Sequence, residues 1–176
     1  TQSGETLALL GPAKEEAPSL IFPQTEIGQQ KFCFFTHKDD PWLFTEPISI
    51  KGRVISVPQD AFPAQLNKFR HEAQFLIKPH NKDYVAVVLG MLALKRINTI
   101  LLTYNSMMEH LRDHPKLARQ VKFANCASKQ NLYLAFTPII EKRAKVKEVM
   151  AVFEREIALL REQGFLESLL KKYQLN

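Results

Sequence analysis

His110 and His114 stand four residues apart, a spacing that puts two imidazoles on one helix face and can hold a metal ion, yet no third ligand accompanies them. His37, His71 and His80 are spread along the chain, and no Ser/His/Asp or Cys/His constellation supplies a nucleophile with its base. Cys33 and Cys126 are the only cysteines, and neither lies in a Cys-x-x-Cys pattern. Two cysteines make neither a four-ligand zinc site nor a disulfide framework; they pair in an oxidising compartment or stay as buried thiols, and the sequence leaves both open. Cys33 lies in an aromatic run, which favours burial over nucleophilic chemistry. What remains is chemistry of the binding kind. Pro58-Gln59-Asp60 follows a β-branched run and precedes a helical one, where free backbone N–H groups favour anions, although Asp60 reads first as a helix cap. Thr103 and Tyr104 end another β-branched run, facing a ligand or simply closing a turn.

The elements that must carry these residues alternate. Leu7-Ala8-Leu9-Leu10 reads as a short buried strand stopped by Gly11-Pro12, and residues 13–18 read as a loop. Lys31 to Thr36 is an aromatic strand, and Arg53 to Val57 is a strand leading into a helix from Ala61 to Arg70 with Pro63 in its first turn. Phe75-Leu76-Ile77 gives a further strand. A helix from Asn81 to about Lys95 carries Val85, Val88, Leu89 and Leu92 on one face. Ile97 to Thr103 is a strand, and Ser106 with Glu109 forms a capping box for a helix that Pro115 closes. Val121 to Phe123 and Asn131 to Thr137 are strands. The C-terminal stretch is helical, with Val146, Val149, Met150, Phe153, Ile157 and Leu160 on one face, Gly164 as a C-cap, and a second helix from Phe165 to Tyr173. Residues 48 to 123 therefore form an α/β body with a largely parallel sheet, entered and left by a strand.

Length and composition set the frame. The 176 residues are 45% hydrophobic and 24% charged, which excludes disordered and low-complexity classes, and at that size no metal or disulfide is needed to hold a core. No apolar run reaches the roughly 20 residues of a membrane span. The net charge of +6 is spread among acidic residues, as in Glu141-Lys142-Arg143, without a basic arm or an RNA-binding aromatic signature, so nucleic acid is not the favoured partner. The chain starts at Thr1 rather than Met and shows no signal-peptide core, so a processed chain or a fragment is expected, with any targeting segment already removed.

Order and spacing resemble the family 3 bacterial extracellular solute-binding proteins, which are type II periplasmic binding proteins. The residues that carry the resemblance are Ile50-Lys51-Gly52-Arg53-Val54, the helix-to-strand passage Leu92 to Asn98, the segment Asn131-Leu132-Tyr133-Leu134-Ala135-Phe136, and the tail from Phe153-Glu154-Arg155 to Lys171-Lys172-Tyr173. The match runs from about Leu7 to the C-terminus. It implies an α/β fold of two lobes joined by two crossing strands, with residues 1–31 as the remainder of lobe 1, 32–130 as an inserted lobe 2, and 131–176 as the return crossing and C-terminal helices. The family's opening strand-helix repeat has no counterpart here, so the first lobe is expected to be incomplete, with exposed apolar surface and marginal stability or association.

The resemblance also implies a role. The chain would be an extracytoplasmic or periplasmic binding protein rather than an enzyme, would need no cofactor, and would capture a small molecule between its lobes for an ABC transporter permease by hinge closure at the crossings 31–36 and 131–137. The alternatives are a ligand-sensing domain of a signalling protein and, less favoured, a dehydratase-like enzyme using Glu15 or Glu16. Lys14, Glu15, Gln59, Asp60, Thr103 and Tyr104 would face the ligand, although Lys14 and Glu15 read first as solvated loop charges. The aromatic run Phe32, Phe34 and Phe35 reads as packing. The family's amino-acid binders hold the ligand carboxylate with an Arg that follows a Thr, and the ammonium with an Asp. The places nearest to these are Ala13 and Glu16 for the first pair and Thr103 for the Asp. Both charge partners for a zwitterion are missing, so a standard α-amino acid is not the expected ligand.

Overall fold

The computed structural model describes residues 5–59, 62–79 and 81–172, with the side chains of residues 64, 170 and 172 left out. Asp60, Ala61, His80 and Tyr173 lie outside the described residues. Along the chain run β1 (Ala8–Leu10), β2 (Gly28–His37), β3 (Val54–Pro58), β4 (Gln74–Lys78), α1 (Tyr84–Ala93), β5 (Thr99–Thr103), α2 (Tyr104–Asp113), α3 (Pro115–Ala118), β6 (Val121–Leu132), β7 (Leu134–Phe136), α4 (Arg143–Glu162) and α5 (Phe165–Lys172). The chain divides into two compact units: unit 1 holds residues 1–29 and 130–176, and unit 2 holds residues 30–129. Both passages from one unit to the other fall inside strands, β2 and β6.

Unit 2 is built on a five-stranded sheet in the order β4-β3-β5-β2-β6. β3 runs parallel to both β4 and β5, whereas β2 is antiparallel to β5, with Phe32 opposite Thr103 and Phe35 opposite Ile100. A strand sends alternate side chains to opposite faces, so a strand buried on both faces must be apolar throughout. Phe32-Cys33-Phe34-Phe35 and Ile100-Leu101-Leu102 meet that demand. Cys33, Phe35, Ile100 and Leu102 join α1 and α2 in one cluster with Val88, Leu89, Leu92 and Met107. Phe32, Phe34 and Leu101 join a second cluster with Phe44, Ile50, Ile55, Val57 and Leu66. Phe34 meets Trp42 edge-on at 5.5 Å and Phe44 at 4.7 Å between ring centroids. Cys33 and Cys126 form a disulfide that ties β2 to the neighbouring β6.

Unit 1 has less sheet. β1 and β7 pair antiparallel, Ala8 opposite Phe136, and Ile21 bridges to the other side of Phe136. The long helix α4 buries Val146 and Ile157 and half-buries Val149, Met150, Phe153 and Leu160, the face its 3.6-residue periodicity marks. Gly164 follows α4 at φ +67°, a left-handed position that glycine takes without strain, and its N–H closes on the Arg161 carbonyl at 2.9 Å.

Several local expectations are corrected. The segment expected as a helix from Ala61 to Arg70 is a 3-10 helix over Ala64–Phe69. Pro63 disfavours helical backbone at Phe62, so winding starts only after the proline and six residues remain. Leu7 to Leu10 is not a buried strand, since Leu9 is 43% and Leu10 73% exposed. The helix expected to open at Ser106 begins at Tyr104, because Thr103 is still extended and the strand runs directly into α2. Thr103 Oγ1 donates to Ser106 Oγ at 2.7 Å, so no capping box forms with Glu109. The strand expected over Val121 to Phe123 runs on to Leu132 as β6, and the one expected over Asn131 to Thr137 is broken at Tyr133, with its second part as β7.

Candidate functional site

In unit 2 the parallel strands β3, β4 and β5 end at one edge of the sheet. The backbone N–H of Gln59 donates to the Lys78 carbonyl at 2.9 Å, which ties the ends of β3 and β4, and the Gln59 side chain is exposed. Two strands from β4, β5 passes straight into α2. The start of α2 has no side-chain cap and no acidic residue in its first turn. Its leading N–H groups therefore keep their partial positive charge at the end of the strand, an arrangement suited to an anionic group. Thr103, 9% exposed, sits at the cap position with its hydroxyl donated to Ser106.

Tyr104 is differently employed. Its ring packs edge-on to Phe123 at 5.7 Å and lies 6.4 Å from Phe35, on the face that carries α1 and α2. Packing accounts for it. Beneath the same edge, Ser56 and Tyr84 share a buried hydrogen bond of 3.3 Å, and burial pushes the Tyr84 phenol up to about 12, against the opposing pull of Ser56.

In unit 1, Lys14 and Glu15 occupy a tight turn after Gly11-Pro12. Ala13 is fully buried and donates its N–H to the Glu16 carboxylate at 3.2 Å, while the Glu16 N–H returns to the Ala13 carbonyl. Glu16 therefore locks the turn. The Lys14 ammonium lies 4.5 Å above the Tyr133 ring, whose edge meets Phe22 at 5.6 Å between centroids. Glu15 is exposed. The six expected residues thus separate: Lys14 and Glu15 belong to unit 1, Gln59, Thr103 and Tyr104 to unit 2, and Asp60 lies outside the described residues. Within unit 2, strand register sets Gln59 and Thr103 at the same sheet edge. Tyr133 and Ser106 are the two contacts that sequence reasoning missed. Tyr133 had the signal of a lone polar aromatic within an apolar strand, but its cation partner is more than a hundred residues away and nothing local marks it.

Other chemistry-bearing groups are taken up by the fold, although His110 Nε2 is buried without a hydrogen-bond partner among the described residues. His110 and His114 stack at 4.2 Å between ring centroids, and His114 Nδ1 pairs with the His110 carbonyl. No group of three or more His, Cys, Asp or Glu able to hold a metal ion occurs among the described residues. At the opposite, amino-terminal edge of the unit 2 sheet, the Arg53 guanidinium bridges Asp40, Thr99 Oγ1 at 2.9 Å and the Asn98 carbonyl at 2.8 Å, and lies over the Trp42 ring at 4.6 Å. Burial pushes the Asp40 carboxyl up. The Arg53 and Trp42 hydrogen bonds, with the charges of Arg53 and Lys122, outweigh that and hold it below its usual value. This network is closed on itself and serves the fold.

The sequence matches no protein-family model and no curated protein. The fold, in contrast, is clearly that of the periplasmic binding proteins. The chain superimposes over 98% of its length on the amino acid ABC transporter substrate-binding protein AbpA of Streptococcus pneumoniae bound to L-arginine, with a TM-score of 0.68, 14% identity and 69% of that chain covered. A histidine kinase sensor domain with similarity to periplasmic binding proteins gives a TM-score of 0.71 at 18% identity, with 98% of this chain and 71% of that one covered. The GluR0 ligand-binding core in complex with L-glutamate gives 0.71 at 13% identity, with 98% and 74% covered. This chain spans between 62% and 74% of the length of such structures, and 66% of an arginine-binding protein from T. maritima. No helix among the described residues is long and apolar enough to cross a membrane.

Proposed function

We propose that the chain is an extracytoplasmic solute-binding domain that takes a small anionic molecule and serves a membrane transporter. The observation that carries this reading is the shared carboxyl edge of β3 and β5, where Gln59 and the open first turn of α2 beside Thr103, a turn that holds no acidic residue, offer hydrogen-bond donors. In open α/β sheets that edge is where ligands bind. The periplasmic-binding-protein fold and the Cys33–Cys126 disulfide, which persists in oxidising compartments, both support it. Residues 32–130 act as the inserted lobe. The ligand is not a standard α-amino acid, because the place of the ammonium-binding Asp is taken by Thr103, and Glu16 is committed to the Ala13 turn.

A second reading, a sensor domain of a signalling protein, draws on the likeness to the histidine kinase sensor domain. The same assay serves both. The intact protein is scanned by thermal denaturation against a panel of organic and inorganic anions beside the twenty amino acids. A ligand at a hundred times its Kd stabilises by about 2.7 kcal/mol, a shift of several degrees. A panel without any shift, or a response to amino acids alone, overturns the proposal.

A further inference from the structure

The start of α4 breaks two rules of helix electrostatics at once. A helix N-terminus carries partial positive charge and is stabilised by acidic residues, yet the first turn of α4 has none and no side-chain cap. Instead Lys142, Arg143, Lys145 and Lys147 crowd its opening, against the single carboxylate of Glu141 just before it. Arg143 and Lys147 stand four residues apart, a like-charge pair on one flank, both exposed and with no ion pair among the described residues. Lys145 is paired with Glu148 at 3.1 Å. Immediately ahead of these cations stands Ile140, at 77% the most exposed large apolar side chain among the described residues. A like-charge pair such as Arg143 with Lys147, exposed at a helix start, points to a surface that meets something else. A bare aliphatic side chain followed within seven residues by exposed cations matches a phospholipid surface: the apolar group enters the headgroup boundary while the cations meet anionic headgroups. A purely acidic protein face would gain from the cations and not from Ile140.

We propose that the α4 opening, Ile140 with Arg143, Lys145 and Lys147, is a docking surface for an anionic phospholipid bilayer. The inference is independent of the ligand site, because it needs only unit 1. Binding is reversible and salt-sensitive, since a few cations and one aliphatic side chain are too little to anchor the protein.

The test is cosedimentation of the intact protein with phosphatidylcholine vesicles, with and without phosphatidylglycerol, at low ionic strength, paired with thermal denaturation of each variant. Partitioning is expected only onto the phosphatidylglycerol vesicles. The double variant Arg143→Gln with Lys147→Gln should lower it about thirtyfold, at about fivefold for each cation near an anionic surface. Ile140→Ser should lower it about fivefold. The double variant should melt at the same or a higher temperature than the parent, because a like-charge pair at a helix N-terminus is removed. A lower melting temperature assigns those cations to the fold and overturns the proposal. So does equal binding to both vesicle types, unchanged partitioning of the double variant, or binding to soluble polyglutamate without binding to vesicles, which makes the patch a contact for an acidic protein.

Discussion

Unit 2 hides its sheet and unit 1 does not. Both faces of the five-stranded sheet are covered, every residue of β5 is buried, and a disulfide joins two neighbouring strands. Unit 1 has two strands of three residues each, with Leu9 and Leu10 facing solvent, and relies on polar ties between its helices and loops. Glu154 of α4 accepts from the backbone N–H groups of Gln24 and Thr25 and from the Thr25 hydroxyl, and Arg161 holds Glu26 through both its carbonyl and its carboxylate at 2.7 and 2.9 Å. The contrast separates two ways of fixing a backbone. Unit 2 excludes water from apolar surface, and unit 1 pins loops with charged hydrogen bonds while keeping water near. Salt and pH act directly on the ties of unit 1, and in unit 2 on the Asp40–Arg53 pair rather than on the apolar clusters.

That difference can be broken most forcefully at the disulfide. Replacing Cys33 and Cys126 with Ala frees a sequence separation of 93 residues, and a loop-closure account puts the cost at about 3–5 kcal/mol. Hydrogen exchange should show the loss in unit 2 amides, with unit 1 little changed. Phe34→Ala, at a fully buried ring between Trp42 and Phe44, should cost about 3–4 kcal/mol in urea denaturation and also act on unit 2.

The counterpart in unit 1 is smaller. Glu154→Gln weakens three hydrogen bonds to a charged acceptor, for about 1–3 kcal/mol, and should speed exchange of the Gln24 and Thr25 amides first. Acid sharpens the comparison further. Burial raises Glu154, but the Thr25 and Gln24 hydrogen bonds with the charge of Arg161 outweigh it and hold the carboxyl below its usual 4.5. Asp40 in unit 2 is likewise held below 3.8. Groups depressed in the folded state contribute stability above their unfolded pKa and lose it as pH falls through the folded value. His110 in unit 2, held below 6.5 by burial and the charge of His114, takes up its proton at lower pH in the folded state than in the unfolded one. Stability should therefore begin to fall as pH drops through about 6.5 and fall further below about pH 5, and Glu154→Gln should flatten the lower part for unit 1 amides alone. Least of all, Leu10→Ser should change the unfolding free energy by less than about 0.5 kcal/mol, as expected for a side chain that water already reaches. A large loss there would mean that β1 is covered in solution and that unit 1 is not as open as described.

Much of this was legible in the chain. The runs Lys31 to Thr36 and Ile97 to Thr103 announce strands because burial on both faces demands unbroken apolar and β-branched residues, and α4 announces itself through a 3.6-residue stripe. Gly164 marks its end because a left-handed residue is needed there. The failures have the same local origin. Ser106 and Glu109 satisfy the pattern of a capping box, but Thr103 takes the Ser106 hydroxyl, a choice set by where β5 delivers the chain.

Of the expected binding residues, the place of Gln59 and Thr103 at strand ends could be read from β-branched runs that stop at turn formers. That Tyr104 is spent on Phe35 and Phe123, that Lys14 rests over Tyr133, and that the two cysteines are joined could not. Hydrophobic period, turn chemistry and helix stops are properties of neighbours along the chain, so the sequence alone determined the elements and their order. Pairings between residues tens to more than a hundred positions apart depend on strand register and packing, where one residue of slip sends every side chain to the other face. Only the tertiary structure decided them.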